Sequence, residues 1–436
     1  MFVELESDKK CTKPLRNILG INNLPRAGHR RALKTDLPRF EALHFKHIRF
    51  HDATLDNAPQ RLVDISAIFP LFHLDETLEQ NYFFSQTDDY MRSIEYSDAE
   101  IDFRLGETID HSGCFRLIGV PVDIDKWAQI CRHIIGHYKN GEMHGMHLNI
   151  KRISVWEEPN NAMLLRGTVE QYAEMFCALY CVIKKDFPDI MVGGPTSTME
   201  GVSFLDRFLG LCKEKGITPD FVSGTYYVRS LKELHQYLAP NLEIMKSYGL
   251  TDTPYVLAEW HYGVREWARY EYVREHGFFE PENAAFSVSA LIELMDMDQI
   301  DVAYYYSWST HNWALFNCHE GGAPLLPIYY GLLYFQRMIM ECTERIAITV
   351  DEPMPAKLLA GKTADGRTLL LISCHESPCE AIEIAASGCK KAVLKRITMD
   401  YREELCTLGE ALYPENGVFK FKHTGKSGVY LLEMVQ

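Results

Sequence analysis

The chain has 436 residues, of which 47% are hydrophobic and 24% are charged, and this composition excludes an intrinsically disordered protein. Acidic residues outnumber Lys and Arg by 60 to 45, and the net charge of -15 disfavours binding to nucleic acid or to an anionic membrane surface. A neutral small-molecule substrate fits this net charge better than a polyanion does. The sequence contains neither a signal peptide at its N-terminus nor an apolar run of the roughly 20 residues that span a bilayer, so we expect a cytoplasmic protein.

Short β-branched runs alternate with longer amphipathic segments from about residue 15 to residue 335, which is typical of βα units and a parallel sheet. Eight such units predict a (β/α)8 TIM barrel, with catalytic groups just past the C-terminal ends of its strands. The clearest helix follows the fourth strand, where Thr168 and Gln171 form a capping box and Pro188 ends the helix. The predicted strands are 18–20, 45–50, 101–105, 150–155, 190–193, 221–223, 255–257 and 301–305.

A different pattern begins after about residue 340, where helical periodicity largely disappears and short strands follow one another. Asp365 and Gly366 form a strong hairpin signal between two of these strands. We therefore predict a catalytic barrel over residues 1–340 and a C-terminal β-sandwich domain over residues 341–436. Its predicted strands are 345–350, 356–360, 368–373, 381–385, 392–398, 417–422 and 429–434.

Two glutamates stand where the barrel would place catalytic groups. Glu158 follows the fourth predicted strand and Glu259 follows the seventh, each beside a tryptophan-containing apolar run. Cleavage of a glycosidic bond requires one carboxyl group that protonates the leaving oxygen and a second that attacks or stabilises the anomeric carbon. The alternative is that both glutamates pair with Lys or Arg at the barrel rim. A Glu in an apolar strand end is costly unless it is paired or functional.

At these residues the chain resembles clan A glycoside hydrolases, which carry an Asn-Glu-Pro acid/base motif on strand four and a nucleophilic Glu on strand seven. It is most similar to family 39, the group of β-xylosidases and α-L-iduronidases, through segments 47–52, 192–195 and 220–223. The resemblance covers the whole barrel and the C-terminal sandwich. It implies that Glu158 is the general acid/base and Glu259 the nucleophile of a retaining enzyme.

The same resemblance implies roles for residues around the two glutamates. Arg49 would hydrogen-bond Glu259 and keep it ionised, with a barrel-rim ion pair as the alternative. His51 would line the sugar pocket or be a core residue, and Tyr227 would contact the nucleophile. The other substrate-binding candidates are aromatic and histidine side chains, with core packing as the alternative for at least half of the tryptophans: Trp156, Trp260, His261, Trp308 and Trp313.

Three positions depart from the family's pattern. Glu157 replaces the Asn that donates a hydrogen bond toward the sugar 2-OH, Thr225 replaces a His, and the expected Trp near the end of strand eight is Tyr306 or Trp308. An ionised Glu157 can only accept a hydrogen bond. It would raise the pKa of Glu158 by repulsion, accept from a hydroxyl, pair with an amino group, or turn away toward a neighbouring Arg or Lys.

These observations predict a retaining exo-glycosidase that acts on short oligosaccharides or glycosides, with a β-xyloside or an α-L-arabinoside as the first substrates to consider. The sequence has neither a P-loop nor a GxGxxG motif, and the reaction requires no metal or cofactor. The partner is a carbohydrate. Two alternatives remain: a clan A endo-glycanase of another family, and a non-catalytic carbohydrate-binding relative.

Overall fold

The computed structural model describes residues 1–25, 30–53, 61–95, 97–109, 117–263, 279–317, 322–351 and 356–435. Within these ranges, eight parallel strands close into a barrel in chain order, which confirms the predicted (β/α)8 fold. An N-terminal strand, β1 (Phe2–Lys10), precedes the barrel. The barrel strands are β2 (Leu19–Asn22), β3 (His47–Phe50), β4 (Glu100–Leu105), β5 (Ile150–Val155), β6 (Met191–Thr198), β7 (Phe221–Val228), β8 (Tyr255–Tyr262) and β9 (Ile300–Tyr305).

All eight predicted barrel strands are confirmed, but three of them end five residues beyond the predicted end. Strands β6, β7 and β8 continue to Thr198, Val228 and Tyr262, so polar residues that were expected in loops lie within strands. The cause is burial, because both faces of a barrel strand are covered and every position of β8 is buried. This extension brings functional side chains onto rigid elements at the mouth of the barrel.

Helices connect the barrel strands and pack around them. The predicted capping box is confirmed: the Thr168 hydroxyl accepts from the Gln171 backbone N–H at 3.3 Å, and the Gln171 side chain accepts from the Thr168 N–H at 2.9 Å. The helices are α1 (Arg30–Glu41), α2 (Ile65–Ile68), α3 (Ser85–Met91), α4 (Ile124–Asn140), α5 (Val169–Asp186), α6 (Val202–Glu214), α7 (Leu231–Ser247), α8 (Pro281–Met295), α9 (Pro327–Glu341) and α10 (Glu403–Thr407). In the part of the chain described here, no helix is both long and apolar enough to cross a bilayer.

The seven strands predicted for the C-terminal sandwich are present, and with the short strand β15, which was not predicted, they form a second, mixed sheet. Its strands are β10 (Cys342–Val350), β11 (Ala356–Thr363), β12 (Thr368–Cys374), β13 (Ala381–Ala385), β14 (Lys391–Ile397), β15 (Glu410–Leu412), β16 (Val418–Lys422) and β17 (Gly428–Val435). The predicted hairpin turn lies between β11 and β12, where Gly366 has a φ of 85°. A left-handed conformation of this kind favours glycine.

Strand β1 belongs to this second sheet, which the sequence did not indicate. It pairs antiparallel with β10 and parallel with β13. Val3 and Leu5 on β1 are buried in the core of the second sheet. The barrel core is a separate, larger cluster, and α8 and α9 pack between the barrel and the second sheet. The domain boundary near residue 340 stays a prediction.

Candidate active site

The C-terminal ends of β3, β5, β7 and β8 bring the predicted catalytic residues together. Arg49 lies on β3, Tyr227 on β7 and Glu259 on β8, while Glu158 lies in the loop after β5. That loop begins with a sharp change of direction, because Trp156 and Glu158 have φ angles of 61° and 36°. Few residues other than glycine adopt this conformation, and such strain is concentrated at functional sites.

The Glu158 carboxyl group receives two hydrogen bonds from neighbouring side chains. The Thr225 hydroxyl donates to one oxygen at 2.7 Å and the Asn161 amide donates to the other at 2.9 Å. Burial raises the pKa of Glu158, and the negative charge of Glu259 raises it further. A raised pKa keeps the carboxyl group protonated to higher pH, which is the state that a general acid requires.

Glu259 is buried and is held by different partners. The Tyr227 hydroxyl donates to one carboxylate oxygen at 2.5 Å, and His51 Nε2 lies 2.8 Å from the other. Arg49 Nη1 lies 3.6 Å from that second oxygen. Burial raises the pKa of Glu259 to about 7, although Arg49 and the hydrogen bond from Tyr227 act to lower it. These two contacts favour the ionised form that can attack the anomeric carbon.

Glu157 occupies the position closest to the Arg49 guanidinium. Arg49 Nη2 donates directly to Glu157 Oε2, and His51 Nδ1 lies 3.5 Å from the same oxygen. The expected hydrogen bond from Arg49 to Glu259 was therefore wrong: the direct bond goes to Glu157, and Glu259 has only the longer ion pair. The reason is that a carboxylate replaces a neutral amide beside Arg49 and competes for its charge.

Glu157 neither turns toward Glu158 nor leaves the site. Its side chain is 1% exposed and faces Arg49 and His51. The raised pKa expected for Glu158 is present, but the repulsion that contributes to it comes from Glu259. Burial raises the pKa of Glu157 itself to about 7, against the opposing charge of Arg49. Two mutually repelling carboxyl groups, Glu157 and Glu259, thus share one guanidinium.

Two of the tryptophans that were predicted to bind the substrate are almost completely buried. Trp156 is 1% exposed and its indole N–H donates to the carbonyl of Leu164 at 2.7 Å. Trp260 is also 1% exposed, and it packs edge-on against Tyr305 with ring centroids 5.3 Å apart. Direct contact of either ring with a sugar stays a prediction, because both are enclosed by protein in this structure.

The end of β9 resolves the ambiguity between Tyr306 and Trp308. Trp308 is fully buried and packs edge-on against Phe40, with ring centroids 5.1 Å apart. Tyr306 instead lies beside the site, with its ring 6.0 Å from that of His51. His261 is buried near Trp313, at 4.6 Å between rings, and burial lowers its pKa to about 3.

A polar group that the sequence analysis did not single out adjoins the site. Asp52 accepts from the Tyr306 hydroxyl at 2.5 Å and from the Asn23 amide at 2.7 Å. Burial acts to raise the pKa of Asp52, but His51, Tyr306 and Asn23 outweigh it and the pKa is lowered. The sequence signal that could have identified Asp52 is its position directly after His51. The motif assigned a role to the histidine, whereas only the fold brings Asn23 and Tyr306 to the carboxylate.

His51, Glu157 and Glu259 also bring three potential metal-ligand atoms within 4.8 Å of one another. Arg49 contacts both carboxylates of this group. A guanidinium at this distance opposes a divalent cation by direct charge repulsion. The charge of Arg49 therefore disfavours a divalent metal ion between these three side chains.

Comparison with known proteins identifies the family. The sequence profile of Glycosyl hydrolases family 39 matches residues 7–296. The chain belongs to this family. A β-xylosidase from Caldicellulosiruptor saccharolyticus is 24% identical over 308 residues, which cover 64% of this chain and 60% of that relative. A β-xylosidase from Geobacillus stearothermophilus is 26% identical over 128 residues, covering 28% of this chain and 25% of its own length.

Two solved glycosidase structures share the fold over the full length of this chain. A glucosidase from Croceicoccus marinus has a TM-score of 0.80 at 20% identity, with coverage of 100% of this chain and 98% of that one. A monomeric β-xylosidase from Caulobacter crescentus has a TM-score of 0.72 at 15% identity and covers 100% of both chains. At these identities the likeness establishes the architecture of barrel and second sheet.

Proposed function

We propose that this family 39 chain is a retaining exo-glycosidase that hydrolyses short oligosaccharides or glycosides by double displacement. The observation that carries the proposal is the pair formed by the half-buried Glu158 and the buried Glu259, which repel each other and have different hydrogen-bond partners. Glu259 attacks the anomeric carbon while Glu158 protonates the leaving oxygen. Glu158 then removes a proton from the water molecule that releases the sugar. Neither step requires a metal or a cofactor.

The names of the relatives support particular sugars. Two β-xylosidases match the sequence, and this favours a β-xyloside as the first substrate to test, followed by an α-L-arabinoside. The glucosidase with a similar fold adds a glucoside to the panel. Exo-action is the part of the proposal that the analysis of the products tests.

Two variants test the mechanism. Glu259→Ala should abolish turnover, and azide should restore part of it and yield a glycosyl azide of inverted configuration, because azide replaces the missing nucleophile. Glu158→Ala should retain the glycosylation step, measured as kcat/KM, better on aryl glycosides with good leaving groups than on those with poor ones, since good leaving groups need little protonation. If either variant keeps wild-type activity on an alkyl glycoside, the role assigned to that residue is wrong.

Product analysis tests the remaining parts of the proposal. NMR spectroscopy of the first product should show the anomer with the configuration of the substrate, which is the result of two successive inversions. With a short oligosaccharide, a single monosaccharide should accumulate from the start of the reaction. Release of mixed internal fragments would instead indicate an endo-glycanase.

A further inference from the structure

Glu157 presents a buried hydrogen-bond acceptor that none of the described residues satisfies. Its Oε2 atom binds Arg49 and lies near His51, whereas Oε1 has no hydrogen-bond partner among the residues that the structure describes. The side chain is 1% exposed. A buried polar atom without a partner destabilises the folded protein, so a donor that arrives with a ligand explains why this atom is kept.

The position of Glu157 indicates which part of a sugar this donor belongs to. Carboxylate oxygens of Glu157 and Glu259 lie within 4.8 Å of each other, and Glu259 is the group that bonds to the anomeric carbon in the proposed mechanism. That carbon carries the leaving oxygen, the ring oxygen and C2. The leaving oxygen faces Glu158, and the ring oxygen has no proton to donate. The substituent on C2 is therefore the donor nearest to Glu157.

The charge of the site indicates what kind of donor fits. Arg49 is shared between Glu157 and Glu259, whereas Arg104 binds Asp64 at 2.6 Å and burial lowers the pKa of His51. Carboxyl groups thus outnumber the cations that contact them in the described part of the barrel mouth. A neutral hydroxyl could be bound by an amide oxygen without the cost of burying a carboxylate. A cation gains more from a buried carboxylate than a hydroxyl does.

We propose that Glu157 binds a protonated amino group on C2 of the sugar, and that glycosides of 2-amino-2-deoxy sugars are the preferred substrates. This inference rests on the proposed retaining glycosidase mechanism and changes only the sugar. The ammonium group donates to Glu157 Oε1, while Arg49 holds the other oxygen and fixes the carboxylate in place. Glu157 is a specificity-determining residue in this account, beside the catalytic pair.

The test compares aryl 2-amino-2-deoxy-β-D-glucopyranoside with aryl β-D-glucopyranoside and aryl β-D-xylopyranoside, for wild type and Glu157→Gln, at a pH where the amino group is protonated. Wild type should show the highest kcat/KM on the amino sugar. Glu157→Gln should reduce that preference about 10- to 100-fold, because a charged hydrogen bond becomes a neutral one. The same substitution at exposed Glu170, Glu170→Gln, should leave the preference unchanged. The inference is overturned if wild type prefers a 2-hydroxy sugar and Glu157→Gln keeps the same ranking.

A binding measurement covers the case in which Glu157→Gln does not fold. Glucosamine should raise the melting temperature of the wild-type protein more than glucose or xylose does, because a ligand stabilises the state that it binds. An equal or smaller shift with glucosamine would refute the inference. If the protein hydrolyses only the neutral glycosides, the inference about amino sugars is wrong and the proposed function still holds. Failure of the proposed function would appear as hydrolysis that Glu259→Ala does not affect.

Discussion

The contacts of Arg49 show how a glutamate at position 157, where the family's pattern has Asn, changes the electrostatics of the site. Its guanidinium hydrogen-bonds Glu157 and lies 3.6 Å from Glu259, so its charge is divided between two buried carboxyl groups. Burial raises the pKa of each to about 7. Ionisation of the nucleophile therefore depends on its neighbour as well as on its own contacts. Two variants that change the surroundings of Glu259 are therefore expected to shift its pKa in opposite directions.

Glu157→Gln should extend activity on a 2-hydroxy glycoside to lower pH. Glu259 must be ionised to attack, so a pKa of about 7 means that activity falls as the pH drops through that value. The variant removes a repelling charge and leaves Arg49 free to pair with Glu259, and both changes lower the pKa of Glu259. The acidic limb of the kcat/KM profile should move by about one pH unit. A limb that stays in place would show that Glu157 and Glu259 are not coupled.

Tyr227→Phe should move the same limb in the opposite direction. The Tyr227 hydroxyl donates to Glu259 at 2.5 Å and acts to lower the pKa of that carboxyl group. A hydrogen bond to a charged group contributes about 1.5–3 kcal/mol, which corresponds to a rise of roughly one to two pKa units when it is lost. Loss of rate at every pH without a shift of the limb would assign Tyr227 to substrate positioning instead.

At the scale of the elements, the capped helix α5 supports the strand that ends in the catalytic loop. The capping box at Thr168 satisfies backbone donors at the start of the helix, and its inner face is buried at Tyr172, Met175 and Phe176. Tyr172 also donates to the carbonyl of Val155 at 2.9 Å, at the end of β5. The helix thus fixes the strand end from which Glu157 and Glu158 project.

Thr168→Ala should lower the free energy of unfolding by about 1 kcal/mol, whereas Thr168→Ser should keep most of it, because serine retains the capping oxygen. Chemical denaturation of the three proteins measures the difference. Equal stabilities for the Ala and Ser variants would mean that the cap contributes nothing. Since Thr168 lies outside the active site, the Ala variant should keep its kcat/KM while it is folded.

At the scale of the whole molecule, the N-terminal strand joins the sheet that the C-terminal part of the chain forms. Strand β1 pairs with both β10 and β13, and its alternate residues Val3 and Leu5 enter the core of that sheet. Glu4 lies between them on the exposed face. Pairing of this kind links the start of the chain to the region that follows the barrel.

Leu5→Ala should destabilise the protein by about 2–5 kcal/mol, the usual cost of removing a buried leucine side chain. The control Glu4→Ala should change stability by no more than about 0.5 kcal/mol, because it alters an exposed position on the same strand. Thermal or chemical unfolding compares the two variants. If both have the stability of the wild type, the N-terminal strand is not part of the cooperative core.

The sequence by itself determined the eight barrel strands, the strand pattern of the second sheet, the cap of α5 and the two candidate catalytic glutamates. Each of these follows from local periodicity, turn residues or a short motif on one strand end. The tertiary structure decided which carboxylate Arg49 binds, that Tyr306 and not Trp308 adjoins the site, and where β1 pairs. These contacts join residues far apart in the chain, and their geometry depends on competition among buried charges and on how the closed barrel packs.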